Sequence, residues 1–107
     1  MIGRFYFTRT ENGNLIGEFS NNRSESIQTE SAETTAQTVN YIGTYRSTWN
    51  DGTAIEAELT IEIKPNTNNQ IFTLIWRIGN DIAFWGEGML CRQILIGDYR
   101  DFEEVPA

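Results

Sequence analysis

Glu87 stands between two glycines in the segment Trp85-Gly86-Glu87-Gly88-Met89. A carboxyl group enclosed on an apolar face would have its pKa raised, and could then donate a hydrogen bond or move a proton. Pointed outward, it is an ordinary surface glutamate, the commoner fate of that residue type. The second chemical feature is aromatic. Tyr41, Tyr45 and Trp49 recur every four residues along one face of an extended segment, with Gly43 between the tyrosines. Phe72, Leu74 and Trp76 share a face further along, and Phe84 follows. Rings of this kind are ordinary core filler. They also suit the wall of a small-molecule pocket, where tyrosine hydroxyls and an indole N–H supply the few polar groups such a pocket needs. The pocket expected on this reading is lined by Tyr41, Tyr45, Trp49, Trp76 and Phe84, with Glu87 as its carboxylate.

The missing residue types narrow the chemistry. There is no histidine, and Cys91 is the single cysteine. That excludes a Ser-His-Asp triad, a Cys-His pair, a histidine or multi-cysteine zinc site and an internal disulfide. No cofactor is expected. Cys91 at a strand end is expected to be a buried, inert thiol. Asp98, Asp101, Glu103 and Glu104 cluster near the end of the chain without the ligand spacing of a calcium loop, and a frayed terminus is the simpler reading. Arg46 or Arg77 are candidates to pair with Glu87 or Asp98. An interior pair of that kind would argue for anion recognition.

Charge disfavours nucleic acid as a partner. Fifteen acidic side chains against eight basic ones give a formal net charge of −7. The basic residues are dispersed along the chain, so neither DNA nor RNA is an expected partner. Glu56, Glu58 and Glu62 alternate along one segment and read as a solvated face.

The elements that must position these residues are strands, because period-2 patterning dominates. From Ala54 to Lys64, Ile55, Ala57, Leu59, Ile61 and Ile63 alternate with polar residues, the pattern of a half-buried antiparallel strand. Pro65 ends it, and an Asn-rich turn leads to a strand running from Gln70 through Ile78, apolar on both faces. Asn50-Asp51-Gly52 marks a hairpin between Val39–Trp49 and this strand. Glu11-Asn12-Gly13-Asn14 separates Arg4–Arg9 from Asn14–Phe19. Gly79-Asn80-Asp81 and Arg92-Gln93 lead into Ile82–Cys91 and Ile94–Tyr99. The glycines around Glu87 mark a bulge or a barrel corner. Residues 20–38 are polar, with Ile27 the only large aliphatic residue, and are expected to form a weak strand around Ile27–Thr35 or a mobile loop. With that segment counted, about eight strands result. The fold class expected is all-β, a single small antiparallel up-and-down β-barrel over residues 1–107, closed because the sheet has few residues that guard an edge.

Gly43-Thr44-Tyr45-Arg46-Ser47-Thr48-Trp49, Phe72-Thr73-Leu74-Ile75-Trp76, Trp85-Gly86-Glu87-Gly88 and Leu95-Ile96-Gly97-Asp98-Tyr99 together resemble the strand patterns of calycin-type barrels, the group that contains avidins and lipocalins. The likeness covers about the last two-thirds of the chain. It implies an up-and-down barrel that binds a small molecule in its mouth. The chain is shorter than typical members, and the residues by which avidins grip biotin have no counterpart, so no binding residue is carried over. It also resembles small bacterial regulators with a shortened lipocalin-like barrel, which implies a protein partner instead.

Three functions follow as expectations. The first is binding of an apolar or aromatic small molecule. The second is a protein-interaction module, a homodimer or a regulator's partner, acting through a face such as Ile71, Thr73 and Ile75. The third is a proton-shuffling enzyme using Glu87 with a tyrosine. No membrane partner is expected, since there is no long apolar run and no secretion signal; with its unpaired thiol the chain is expected to be cytoplasmic.

Overall fold

A computed structural model describes residues 1–23, 26–34, 41–50, 59–65 and 71–102, the side chains of Trp49, Asn50 and Leu59 excepted. Eight strands follow one another in the chain: β1 Ile2–Arg9, β2 Leu15–Asn21, β3 Gln28–Thr34, β4 Gly43–Asn50, β5 Leu59–Pro65, β6 Ile71–Ile78, β7 Asp81–Cys91 and β8 Ile94–Asp101. Each pairs antiparallel with the next, and β8 pairs back onto β1 from Ile2↔Arg100 to Phe7↔Leu95, so the sheet closes. The architecture is the expected all-β, up-and-down barrel of eight strands. At this strand number the interior is just wide enough to be filled by side chains or to hold one small ligand.

Alternation fixes what lies inside. Phe5 and Phe7 of β1, Ile61 and Ile63 of β5, Phe72, Leu74 and Trp76 of β6, and Leu95 and Tyr99 of β8 are buried and share the interior. The residues between them face out. In β7 the inward positions are Phe84, Gly86, Gly88 and Leu90, and the outward ones are Trp85, Glu87, Met89 and Cys91. The inward glycines let β7 and β8 approach closely. A Cβ on Gly86 would lie 2.0 Å from the carbonyl oxygen of Asp98, and one on Gly97 2.0 Å from that of Glu87. Gly3 serves the interior directly, for a Cβ there would sit 2.3 Å from the Tyr99 ring.

Two local devices shape the ends. The register of β6 against β7 slips between Trp76↔Phe84 and Arg77↔Ile82, so Ala83 is extra on β7 and Phe84 is turned inward opposite Trp76. At the other end, Arg92 (φ 51°) and Gln93 (φ 73°) form the two-residue link between β7 and β8. Two successive left-handed residues give the turn that matches strand twist, and they usually demand Asn or Gly.

The strand expected around Ile27–Thr35 is present as β3, which takes five register pairs from β2 and six from β4. Other expectations need correction. Tyr41 precedes β4 instead of sharing a strand with Tyr45 and Trp49. Cys91 is exposed, because its parity on β7 is that of the outer face. Arg77 pairs with Glu62 at 2.7 Å on the outside, and with neither Glu87 nor Asp98. Asp101 accepts from Arg23 at 3.1 Å and from the Met1 amino group at 3.2 Å. The Asn50-Asp51-Gly52 turn beyond Asn50, Glu56, Glu58, Glu103 and Glu104 lie outside the described residues. Among the described residues no helix is long and apolar enough to cross a membrane.

Candidate functional site

The interior is divided along the barrel axis. One half is packed. Phe7, Leu15, Ala32, Tyr41, Tyr45, Ile61, Ile63, Phe72, Leu74 and Leu95 are buried there. The Tyr41 hydroxyl reaches the carbonyl oxygens of Gln93 at 2.6 Å and Phe7 at 3.1 Å, and the Tyr45 hydroxyl donates to the Tyr41 carbonyl at 2.9 Å. These two tyrosines therefore seal one end, their hydroxyls spent on backbone. Outside this seal lies a larger depression of about 550 Å³, more polar in its lining, against Thr8, Arg9, Tyr41, Leu90, Gln93 and Ile94.

The other half holds a cavity of about 190 Å³. Phe5, Phe19, Trp76, Phe84 and Tyr99, from five different strands, form its apolar walls, and Asn21, Gln28, Glu30 and Met1 complete the lining. Tyr99 is the centre of the wall. Its ring lies 5.7 Å from Trp76, 5.9 Å from Phe84 and 6.3 Å from Phe19, the last two edge-on. Phe5 meets Trp76 edge-on at 5.5 Å. Edge-to-face and tilted contacts at these spacings are the favoured geometry of aromatic pairs. The Tyr99 hydroxyl accepts from Asn21 Nδ2 at 3.1 Å and donates to the Ser20 carbonyl at 3.4 Å, which fixes the ring against β2.

The carboxylate of this cavity is Glu30. It is 5% exposed, and its Oε2 accepts hydrogen bonds from Ser47 Oγ and from Trp76 Nε1, the latter at 3.1 Å. Burial pushes its pKa up to about 7, against the lowering effect of those two bonds. Desolvation dominates because two neutral donors compensate a buried charge only in part. Desolvation also raises the Tyr99 phenol above its ordinary value, and the Glu30 charge adds to that. A carboxyl group poised near neutrality can accept or release a proton, accept a hydrogen bond, or pair with a cation.

Of the residues expected to line a pocket, Trp76 and Phe84 meet at this cavity. Tyr41 and Tyr45 lie in the packed half. Trp49 is opposite Glu30 in the strand register, and its side chain lies outside the described residues. Glu87 is exposed on the outer face of β7, opposite Thr73 and Asp98, so it contributes nothing to the cavity. Sequence reasoning missed Glu30, Tyr99, Phe5 and Phe19. A usable signal for Glu30 was Ser47, a hydroxyl on the same inward parity as Tyr45 and therefore in need of a polar neighbour.

Among the described residues no group of three or more His, Cys, Asp or Glu side chains is placed to share a metal ion. The closed eight-stranded barrel is compatible with calycin-type architecture. Comparison with protein-family models, with curated proteins and with solved structures gave no match to this chain.

Proposed function

We propose that the protein binds a small apolar or aromatic molecule in the cavity at the Glu30 end of the barrel. The observation that carries this reading is the contrast between the two halves of one interior. Side chains fill the half around Tyr41 and Tyr45, whereas five rings surround about 190 Å³ of space in the other. Apolar walls with a few convergent polar groups are the usual make-up of a ligand site. An apolar cavity of ~150 Å³ accepts benzene, so this one is suited to a one-ring or compact two-ring molecule. The resemblance to calycin-type barrels, which commonly hold a ligand at the mouth, supports the same use.

Trp76 reports on occupancy because its indole forms part of the wall. Titration with neutral one- and two-ring aromatic compounds is expected to give a saturable change in tryptophan emission for at least one of them. Linear, non-saturating behaviour across the whole set contradicts the reading.

A further inference from the structure

We infer that the ligand is an aromatic or similarly flat organic cation, whose protonated nitrogen meets the Glu30 carboxylate on the cavity floor while its ring lies among Phe5, Trp76, Phe84 and Tyr99. This inference rests on the binding reading above and specifies the ligand's chemistry. The first ground is the missing counter-charge. The chain has eight Lys and Arg residues and no histidine, and all eight are described. Arg4, Arg9, Arg23, Arg46, Lys64 and Arg92 are exposed, Arg77 is on Glu62, and Arg100 lies over the outward Trp85 ring at 5.2 Å. None of them lines the cavity. The positive charge that would neutralise a buried Glu30 therefore has no source among the chain's basic side chains, and an ionised carboxylate left so is costly.

The second ground is geometry. Among the described residues, the hydrogen bonds to Glu30 end on Oε2, and Oε1 is the second acceptor of the same carboxyl group within the lining of the cavity. Ser47 and Trp76 both act as donors, an arrangement that favours the carboxylate form as acceptor. The third ground is the walls, since the faces of Trp, Tyr and Phe rings carry negative charge density and attract a cation. An anionic ligand would face that density, the carboxylate and a net charge of −7, with no lining arginine or lysine to oppose them.

The other charged groups described around the site are taken strand by strand. β8 contributes the Tyr99 phenol, held above its usual range and therefore neutral near pH 7. At the rim, the Met1 amino group and Arg23 both contact Asp101 at the end of β8. The described lining groups from β1, β2, β6 and β7 are Phe5, Phe19, Asn21, Trp76 and Phe84, none of which titrates, and β3 adds the neutral Gln28. Affinity for a permanently charged ligand is then governed in this range by ionisation of Glu30, which burial holds near pH 7. Binding displaces its proton.

The test compares benzamidine, which stays cationic from pH 6 to 8, with neutral benzyl alcohol and anionic benzoate, by calorimetry on the whole protein. At pH 8 the expected order is benzamidine, then benzyl alcohol, then benzoate. Benzamidine affinity is expected to rise about tenfold between pH 6 and 8, with proton release seen as a dependence of the heat on buffer. Glu30→Gln is expected to bring benzamidine and benzyl alcohol within about threefold of each other and to abolish the pH dependence. Should that variant not fold, the pH profile and proton release of the unaltered protein decide. Benzyl alcohol binding as tightly as benzamidine, or a cation preference that persists in Glu30→Gln, overturns this inference and leaves the binding reading intact. Absence of saturable binding by all three overturns both.

Discussion

Glu30 concentrates the tension between stability and function in one side chain. Its carboxyl is buried, accepts two hydrogen bonds and has its pKa raised from 4.5 to about 7. The unfolded chain releases this proton near the ordinary carboxylate value, whereas the folded chain keeps it until about pH 7. Between those values the folded state binds more protons, so its stability falls as pH rises across the window and levels off above pH 7. The cost at pH 8 is on the order of 3 kcal/mol, since each tenfold change in proton affinity is worth about 1.4 kcal/mol. Glu30→Gln keeps an acceptor for Ser47 and Trp76 while removing the charge. Chemical denaturation is therefore expected to find the variant more stable than the parent by about 2–3 kcal/mol at pH 8 and by no more than about 1 kcal/mol at pH 5. A variant equally destabilised at both values would mean that the carboxyl group is needed for packing and not tolerated for binding. The Tyr99 hydroxyl acts in the opposite sense and stabilises the fold. Tyr99→Phe removes bonds to Asn21 and Ser20 and is expected to cost about 1 kcal/mol in the same assay.

Among the elements, the β7–β8 hairpin carries visible backbone strain. Arg92 and Gln93 both hold positive φ, an arrangement easy for Asn-Gly and costly for long side chains. The Gln93 carbonyl accepts the Tyr41 hydroxyl, so the strained turn also anchors the seal of the packed half. Replacing Arg92-Gln93 by Asn-Gly keeps that carbonyl and is expected to raise stability by roughly 1 kcal/mol in thermal unfolding, without changing the oligomeric state. The strands themselves were legible because half-buried strands alternate, and Ile61, Ile63, Phe72, Leu74 and Trp76 fall inside as their spacing demands. Closure was legible on a different ground, the scarcity of edge-guarding prolines and lysines. What the sequence could not convey was parity in weakly patterned strands. In β3 the one large aliphatic residue nearby, Ile27, is 69% exposed, and the inward set includes Gln28, Glu30 and Ala32. Pairing with β2 through Leu15↔Ala32 and with β4 through Ala32↔Ser47 decides that face, and such partners are far away in the chain. Glu87 shows the converse: glycines at 86 and 88 take the inward positions, which puts the glutamate outside.

At the scale of the whole molecule, one closed sheet supports two different interiors. Strand order and register place large side chains from β1, β2, β4, β5, β6 and β8 at the Tyr41 end, where they fill the section. Towards the other end Gly3 leaves space for the Tyr99 ring, the Ala83 bulge turns Phe84 inward, and a carboxyl group takes a position that an aliphatic residue could have filled. The candidate site is therefore a property of the barrel's asymmetry, which no single segment displays. Trp76 and Phe84 thus border the cavity while Tyr41 and Tyr45, equally aromatic and indistinguishable from them in sequence, belong to the seal. The indole N–H resonances of Trp76 and Trp85 separate the inner cavity from the outer surface, because Trp76 lines the space and Trp85 faces out beneath Arg100. The most direct measurement is a heteronuclear NMR titration of the labelled protein with benzamidine at pH 8. The account predicts a saturable shift of the Trp76 indole resonance with that of Trp85 unmoved; a stationary Trp76 resonance at saturating probe would contradict it.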